Sequence, residues 1–301
     1  MTEPARLPIA SARQAFVAAE SSLDASVNWV RPTDIGQLEA RYVRRTDDYC
    51  VVYLSSQTGC VQACRMCHLT ATGQTKHRNA TLEEFLEQAT VVLEHYDKSP
   101  KARTVHYNFM ARGEALANPV ITENSEELFD ELWKMARARD LHARFLVSTI
   151  LPKTSAHLDI RDVFSRYQPE IYYSLYSTDE AFRRRWLPKA QPVEDALDRL
   201  VAWQRHSYKI VKIHYAFIEG QNDSADDVNA VCDAIEARGL SVHVNIVRYN
   251  PPSPRHGSEP ADEVLERNAG IFRARLPNAR VRVIGRVGFD VHASCGMFVG
   301  K

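Results

Sequence analysis

Two hydrophobic patterns alternate along the chain from about residue 48 onward. Short runs rich in β-branched and aromatic residues are typical of buried strands, and longer stretches with apolar residues three and four positions apart are typical of helices. The predicted strands cover residues 50–56, 104–110, 143–149, 170–176, 212–218 and 241–247. The predicted helices cover residues 81–96, 125–139, 193–206 and 224–239. Two of these helices follow Thr81 and Ser224, which are residue types that cap helix N-termini.

This alternation predicts repeated βα units, and therefore a parallel sheet covered by helices. Six units indicate a partial or complete α/β barrel with its active-site groups at the C-terminal ends of the strands. The simplest division is an N-terminal extension over residues 1–37 and one catalytic barrel over residues 38–301. The proline-rich segment 250–260 is interpreted as a loop inside that barrel.

Composition narrows the class of protein. Lysine plus arginine equal aspartate plus glutamate at 38 each, so no global charge draws the chain to a polyanion, and any contact with nucleic acid has to be local. The N-terminus has no apolar signal core, and no run of about 18 apolar residues occurs. A cytoplasmic location is therefore expected, in which clustered cysteines favour metal or redox chemistry over disulfides.

Three of the six cysteines, Cys60, Cys64 and Cys67, follow the first predicted strand with the spacing C-x3-C-x2-C. Thiolates on one loop suit an iron-sulfur cluster, and three ligands leave one iron open for a chelating cofactor. A zinc site that adds His68, or three buried thiols, are the alternatives. A Gly-Glu pair, Gly113 and Glu114, follows the next strand and offers a carboxylate to an amino group.

Seven segments in order, between about residues 38 and 296, resemble the RlmN/Cfr family of radical S-adenosylmethionine (SAM) methyltransferases, which modify adenosine in ribosomal and transfer RNA. They include SSQTGCVQACRMC, MARGEAL, SLYSTDEAFRRRWLP, IEGQNDS, VNIVRYNPP and DVHASCGMF. The resemblance implies a partial (βα)6 barrel, a 4Fe-4S cluster and SAM as cofactors, an RNA substrate, and an electron donor such as flavodoxin or ferredoxin.

The resemblance also implies roles for individual residues. Cys60, Cys64 and Cys67 would bind the cluster, Cys295 would carry the methyl group, and Glu39 would accept a proton. The SAM site would be lined by Gly113, Glu114, Ser148, Ser174, Leu175, Tyr176 and Asn250. In the family, the methylated cysteine forms a covalent adduct with carbon 2 or 8 of adenine. A second cysteine then attacks the sulfur of the first, which releases the product and leaves a disulfide between the two cysteines.

The sequence departs from the family at that second cysteine, where Tyr53 stands. Cys50 lies three residues earlier on the same predicted strand, roughly 10 Å away at about 3.3 Å per residue, and is expected to face the opposite side. Tyr176 also replaces the usual histidine. Whether Cys50 joins a transient disulfide is left open by the sequence.

Two alternatives follow from these departures. A relative with the same radical machinery would act on a different substrate, such as a nucleotide, a modified DNA base or a small metabolite, and Tyr53 and the short N-terminal extension motivate it. A zinc-binding nucleic-acid adaptor without enzymatic activity is the other. The basic run Arg183, Arg184, Arg185 and Lys189 is interpreted either as a solvated helix face or as a phosphate contact.

Overall fold

The computed structural model describes residues 16–300, which form one ten-stranded sheet with the strands in chain order. The strands are β1 Val17–Glu20, β2 Val27–Pro32, β3 Gln37–Val43, β4 Tyr49–Tyr53, β5 Thr104–Phe109, β6 His142–Thr149, β7 Glu170–Ser174, β8 Val211–Tyr215, β9 Val242–Val247 and β10 Val281–Ile284. Strands β1 to β4 pair antiparallel, and β4 to β10 pair parallel.

The helices are α1 His68–Ala71, α2 Leu82–Tyr96, α3 Pro119–Thr122, α4 Ser125–Arg137, α5 Ile160–Val163, α6 Glu180–Trp186, α7 Val193–Ser207, α8 Ala225–Glu236 and α9 Asp262–Arg275. The six strands and four helices expected from the hydrophobic pattern are confirmed. Both expected caps are capping boxes, in which Thr81 pairs with Glu84 and Ser224 pairs with Asp227. Each box satisfies backbone donors that the first helical turn leaves free.

The main core lies between the sheet and the helices. One face of each parallel strand contributes to it, as Cys50 and Val52 do from β4. A stack of aromatic rings continues the core into α4, where the centroids of Phe129 and Phe145 are 4.3 Å apart. The opposite face of the parallel strands lines a central cavity, so successive residues of one strand serve two different environments.

Strands β1, β2, β3 and β10 were not expected. All residues of β3 are buried, yet Glu39 and Arg41 lie in its middle and hide the apolar pattern. Strand β2 pairs with β3, so the described part of the predicted extension 1–37 continues the sheet of the barrel. Residues 1–15 lie outside the described part of the chain, and the predicted domain division stays a prediction.

No helix within residues 16–300 is both long and apolar enough to cross a bilayer.

Candidate functional site

The loop between β4 and α1 carries Cys60, Cys64 and Cys67. It begins at Gly59, where a Cβ atom would lie 2.5 Å from the carbonyl oxygen of Lys76, so only glycine fits. The Cys60 N–H then donates to the carbonyl of Gln74 at 3.1 Å. These close backbone contacts curl the loop over the C-terminal ends of the strands.

The three cysteines are free thiols that line one pocket. Burial raises the pKa of Cys60 to about 12 and that of Cys67 to about 11, so a bound cation is needed to hold them as thiolates. Within residues 16–300, no three such side chains converge as ligands of a single ion would. A 4Fe-4S cluster does not require that convergence, because each thiolate binds a different iron. The three thiols therefore fit such a cluster.

The same pocket contains four of the other residues expected at the SAM site. These are Gly113, Glu114, Ser148 and Ser174, which come from the C-terminal ends of neighbouring parallel strands or the turns after them. Parallel strands end at one edge of the barrel, and this edge gathers the side chains although they are far apart in sequence.

Glu114 is buried and held by its backbone surroundings. Gly113 has a φ of +94°, and a Cβ atom there would lie 2.6 Å from that of Gln57. The Glu114 carboxylate accepts from the N–H groups of Leu116 at 3.2 Å and Ile150 at 3.1 Å. Burial raises its pKa to about 7. A buried carboxylate of this kind gains most from a partner that carries an ammonium group.

Three expected SAM-site residues are not brought into this pocket. Leu175 is fully buried in the main core. Tyr176 packs against a second apolar cluster that contains Trp186, and its φ is +58°. Asn250 lines a neighbouring pocket with His68, and its Nδ2 donates to the carbonyl of Cys295 at 2.9 Å. The role of these three residues in binding SAM stays a prediction.

Cys295 lies in the segment after β10 and lines the central cavity together with Tyr53. The residue is exposed to water. Desolvation raises the pKa of Cys295, whereas Arg41 and Arg45 lower it by a smaller amount. Met110 lines both the central cavity and the cysteine pocket, so the two spaces adjoin.

Cys50 is fully buried on the outer face of β4, where its sulfur lies 4.0 Å from the carbonyl of Thr104. Tyr53 lies on the inner face of the same strand. The expectation that the two side chains face opposite sides is confirmed. Cys232 is also buried in the main core, as a residue of α8. Among residues 16–300, Cys295 is thus the only thiol of the central cavity.

A buried ion network ties β3 to the C-terminal segment. Glu39 pairs with Arg41 at 2.7 Å and with Arg112 at 2.6 Å, and all three side chains are almost completely inaccessible to water. Arg41 also donates to the carbonyl of Met297 at 2.6 Å, and Arg112 donates to that of Val299 at 2.7 Å. The chain that carries Cys295 is therefore held by charged hydrogen bonds.

The Glu39 carboxylate has no open position toward the central cavity. Its Oε1 accepts from Arg112 and the Val299 N–H, and its Oε2 accepts from Arg41 and Asn28. Burial raises its pKa, but the two guanidinium groups outweigh this effect and hold the pKa below its usual value. The ion pair with Arg41 is thus present, and the proton-acceptor role stays a prediction.

The arginines of the basic run differ in their exposure to water. Arg183 is buried and donates to the carbonyls of Leu175 at 2.7 Å and Gln191 at 3.0 Å. Arg184 and Arg185 are exposed on α6. The interpretation of the run as one solvated face was therefore wrong for Arg183, which braces the turn after β7.

The central cavity has a volume of about 320 Å³. The residues that line it were not predicted from the sequence. Each parallel strand faces it with alternate residues, among them Lys212 and His214 of β8 and His243 and Asn245 of β9. The interior of a closed α/β barrel is usually filled by branched apolar side chains. The sequence did contain a signal for this lining, because polar residues occupy every second position of otherwise apolar strands.

The chain is similar to curated methyltransferases over most of its length. It is 29% identical over 282 residues to the "Probable dual-specificity RNA methyltransferase RlmN" of Synechococcus sp. (strain CC9902), covering 91% of this chain and 75% of that protein. It is 30% identical over 281 residues to the "Ribosomal RNA large subunit methyltransferase Cfr" of Bacillus velezensis, covering 89% of this chain and 73% of that protein. No protein-family model matches the chain.

The fold is similar to that of a solved "radical SAM methyltransferase from Sphaerobacter thermophilus". The TM-score is 0.76 at 21% identity, with coverage of 94% of this chain and 81% of that one. The maturase HydG aligns with a TM-score of 0.54 over 79% of this chain. These likenesses confirm the expected partial barrel.

Proposed function

Because the chain belongs to the family of the RlmN and Cfr methyltransferases, we propose that it methylates an adenine carbon, 2 or 8, of RNA with Cys295 as the methyl carrier. It is a radical SAM methyltransferase, and its cofactors are a 4Fe-4S cluster and SAM. The names of the relatives support RNA as the substrate.

Cys60, Cys64 and Cys67 would hold the cluster, and Glu114 would accept from the amino group of SAM. When bound, the cluster supplies the electron that splits the sulfonium of SAM and yields a 5'-deoxyadenosyl radical. Gly113 keeps the backbone close to this site because no side chain fits there. Glu114 is itself buried, which strengthens its attraction to a charged amino group.

The observation that carries the proposal is the position of Cys295. Its thiol lines a cavity that adjoins the cysteine pocket, and within residues 16–300 it belongs to no group of three possible metal ligands. The amidine carbons of adenine are poor nucleophiles, so a methyl group has no good direct route to them. A thioether on Cys295 would instead present its methyl carbon to the base within reach of the radical site.

The experiment is anaerobic reconstitution with methyl-labelled SAM, a one-electron donor and total cellular RNA. We expect label in a methyladenosine of the RNA, and a methylated Cys295 in protein isolated from cells. Cys295→Ala should abolish both, whereas Cys232→Ala, on the far side of the sheet, should abolish neither. An unmodified Cys295 in wild-type protein, together with full activity of Cys295→Ala, would overturn the carrier role.

An electron donor such as flavodoxin or ferredoxin is the proposed partner for reduction. Formation of 5'-deoxyadenosine with reduced flavodoxin in place of a chemical reductant would support it. No turnover with either protein donor, under conditions in which a chemical reductant works, would contradict it.

A further inference from the structure

The wall of the central cavity is strongly cationic although the whole chain is neutral. Its charged residues are Arg41, Arg45, Arg144, Lys212, Arg280, Arg282 and Glu170. Six cations thus face a single carboxylate inside one partly enclosed space. A cavity of this kind concentrates an anionic ligand, since protein walls of low dielectric focus the field.

Ion pairs neutralise only part of this charge. Arg144 and Lys212 share Glu170, and Arg41 is paired with Glu39. Arg280 and Arg282 form no ion pair within residues 16–300, and both are exposed to water. Unpaired, accessible arginines present planar donors that match phosphate oxygens.

A second observation points to a ligand in the same space. Asn108 lines the cavity and is 5% exposed, yet its Oδ1 has no hydrogen-bond partner among the described residues. The Nε of Arg41, also at the wall, has none either. Buried polar atoms without partners are uncommon in folded proteins, and a bound molecule is one way to satisfy them.

The positions of the charges indicate how such a molecule would lie. Cys295 adjoins the cysteine pocket at the C-terminal ends of the strands, whereas Arg280 precedes β10 and Lys212 lies near the start of β8. From Arg280 to Ile284 the wall extends roughly 13 Å at about 3.3 Å per residue. That span accommodates a nucleotide with its base near Cys295 and its phosphate among the cations.

We propose that the central cavity binds an adenine mononucleotide unit whose phosphate is held by Arg280, Arg282 and Lys212. Arg280 and Arg282 are exposed to water, so a phosphate can reach them from outside the cavity. The unit is a nucleotide of an RNA or a free nucleotide, which present the same base and phosphate. This inference rests on the proposed methylation of adenine and specifies how the phosphate of that adenosine is held.

The test measures binding to the anaerobically reconstituted protein without reductant. Adenosine 5'-monophosphate should bind at least tenfold more tightly than adenosine, and added salt should remove that difference. The double variant Arg280→Gln/Arg282→Gln should lower the affinity for the monophosphate about tenfold and leave adenosine unchanged. Arg273→Gln, on the outer surface of α9, is the matched control and should bind as the wild type does.

A second variant should change the affinity for the monophosphate in the opposite direction. Glu170→Gln removes the one carboxylate of the wall and should raise the affinity for the monophosphate several-fold. Equal binding of nucleotide and nucleoside, or no difference between the double variant and Arg273→Gln, would overturn the proposal.

Short RNAs distinguish the two sources of the phosphate. Tighter binding of an oligonucleotide with a 5'-phosphate than of its 5'-hydroxyl form indicates a terminal nucleotide, and binding of the monophosphate alone indicates a free one. Binding is measured without turnover, so its loss leaves the methylation proposal intact. Phosphate-dependent binding with no methyl transfer would instead contradict the methylation proposal alone.

Discussion

The N–H of Val299 donates to Oε1 of Glu39 at 2.9 Å, which joins the end of the chain to the centre of β3. One buried carboxylate thereby links two residues that are 260 positions apart in the chain. The segment between β10 and Val299 contains Cys295, so the same contact holds the proposed methyl carrier in the cavity.

Glu39→Gln should destabilise the protein by about 3–5 kcal/mol, because it leaves two buried guanidinium groups without their counter-charge. Thermal unfolding measures this effect. Glu194→Gln, which breaks an exposed ion pair with Arg238, should change stability by less than about 1 kcal/mol.

The same variant separates two roles for Glu39. If it positions the C-terminal segment, methylation of Cys295 in Glu39→Gln falls together with stability. If it accepts a proton late in the reaction, Cys295 is still methylated, and a covalent adduct between protein and nucleotide accumulates. Mass spectrometry of the protein distinguishes the two outcomes.

Gly113→Ala should weaken SAM binding strongly, because the new Cβ atom would meet Gln57 at 2.6 Å in a backbone conformation with φ +94°. The stability loss should exceed that of Gly239→Ala, where φ is also positive but no atom lies within 4 Å. The control should lose about 1–2 kcal/mol from backbone strain alone and bind SAM normally. Equal behaviour of the two variants would contradict the steric argument.

Stability should decrease as the pH falls from 6.5 to about 4, in part through His214. Burial lowers the pKa of this residue to about 4, so between these values the unfolded chain binds a proton that the folded protein does not. The effect corresponds to about 3 kcal/mol. His214→Gln should flatten the dependence of the unfolding free energy on pH, and His157→Gln at an exposed position should not.

Cys50 should form no disulfide with Cys295 during turnover. The two thiols lie on opposite sides of β4, and Cys50 is fully buried in the core. Non-reducing mass spectrometry of enzyme stopped during turnover measures this, and Cys50→Ser should release product at the wild-type rate if it folds. A Cys50–Cys295 disulfide would show that β4 rearranges.

The amino-acid sequence was sufficient to predict the βα order and the cluster loop. Local hydrophobic periodicity decides whether a segment is a strand or a helix, and the capping boxes at Thr81 and Ser224 mark two helix starts. The spacing of Cys60, Cys64 and Cys67 is likewise local, because the three thiols share one loop. These features depend on few long-range contacts.

Contacts between residues that are distant in sequence became visible only in the folded chain. The charges of β3 concealed a fully buried strand, because Glu39 pairs with Arg41 and Arg112, and Arg41 also donates to a carbonyl near the C-terminus. The cationic cavity arises because parallel strands turn alternate residues to one side, so charges scattered from Arg41 to Arg282 become neighbours. Sequence distance carries no information about that convergence, since it is set by the curvature and register of the sheet.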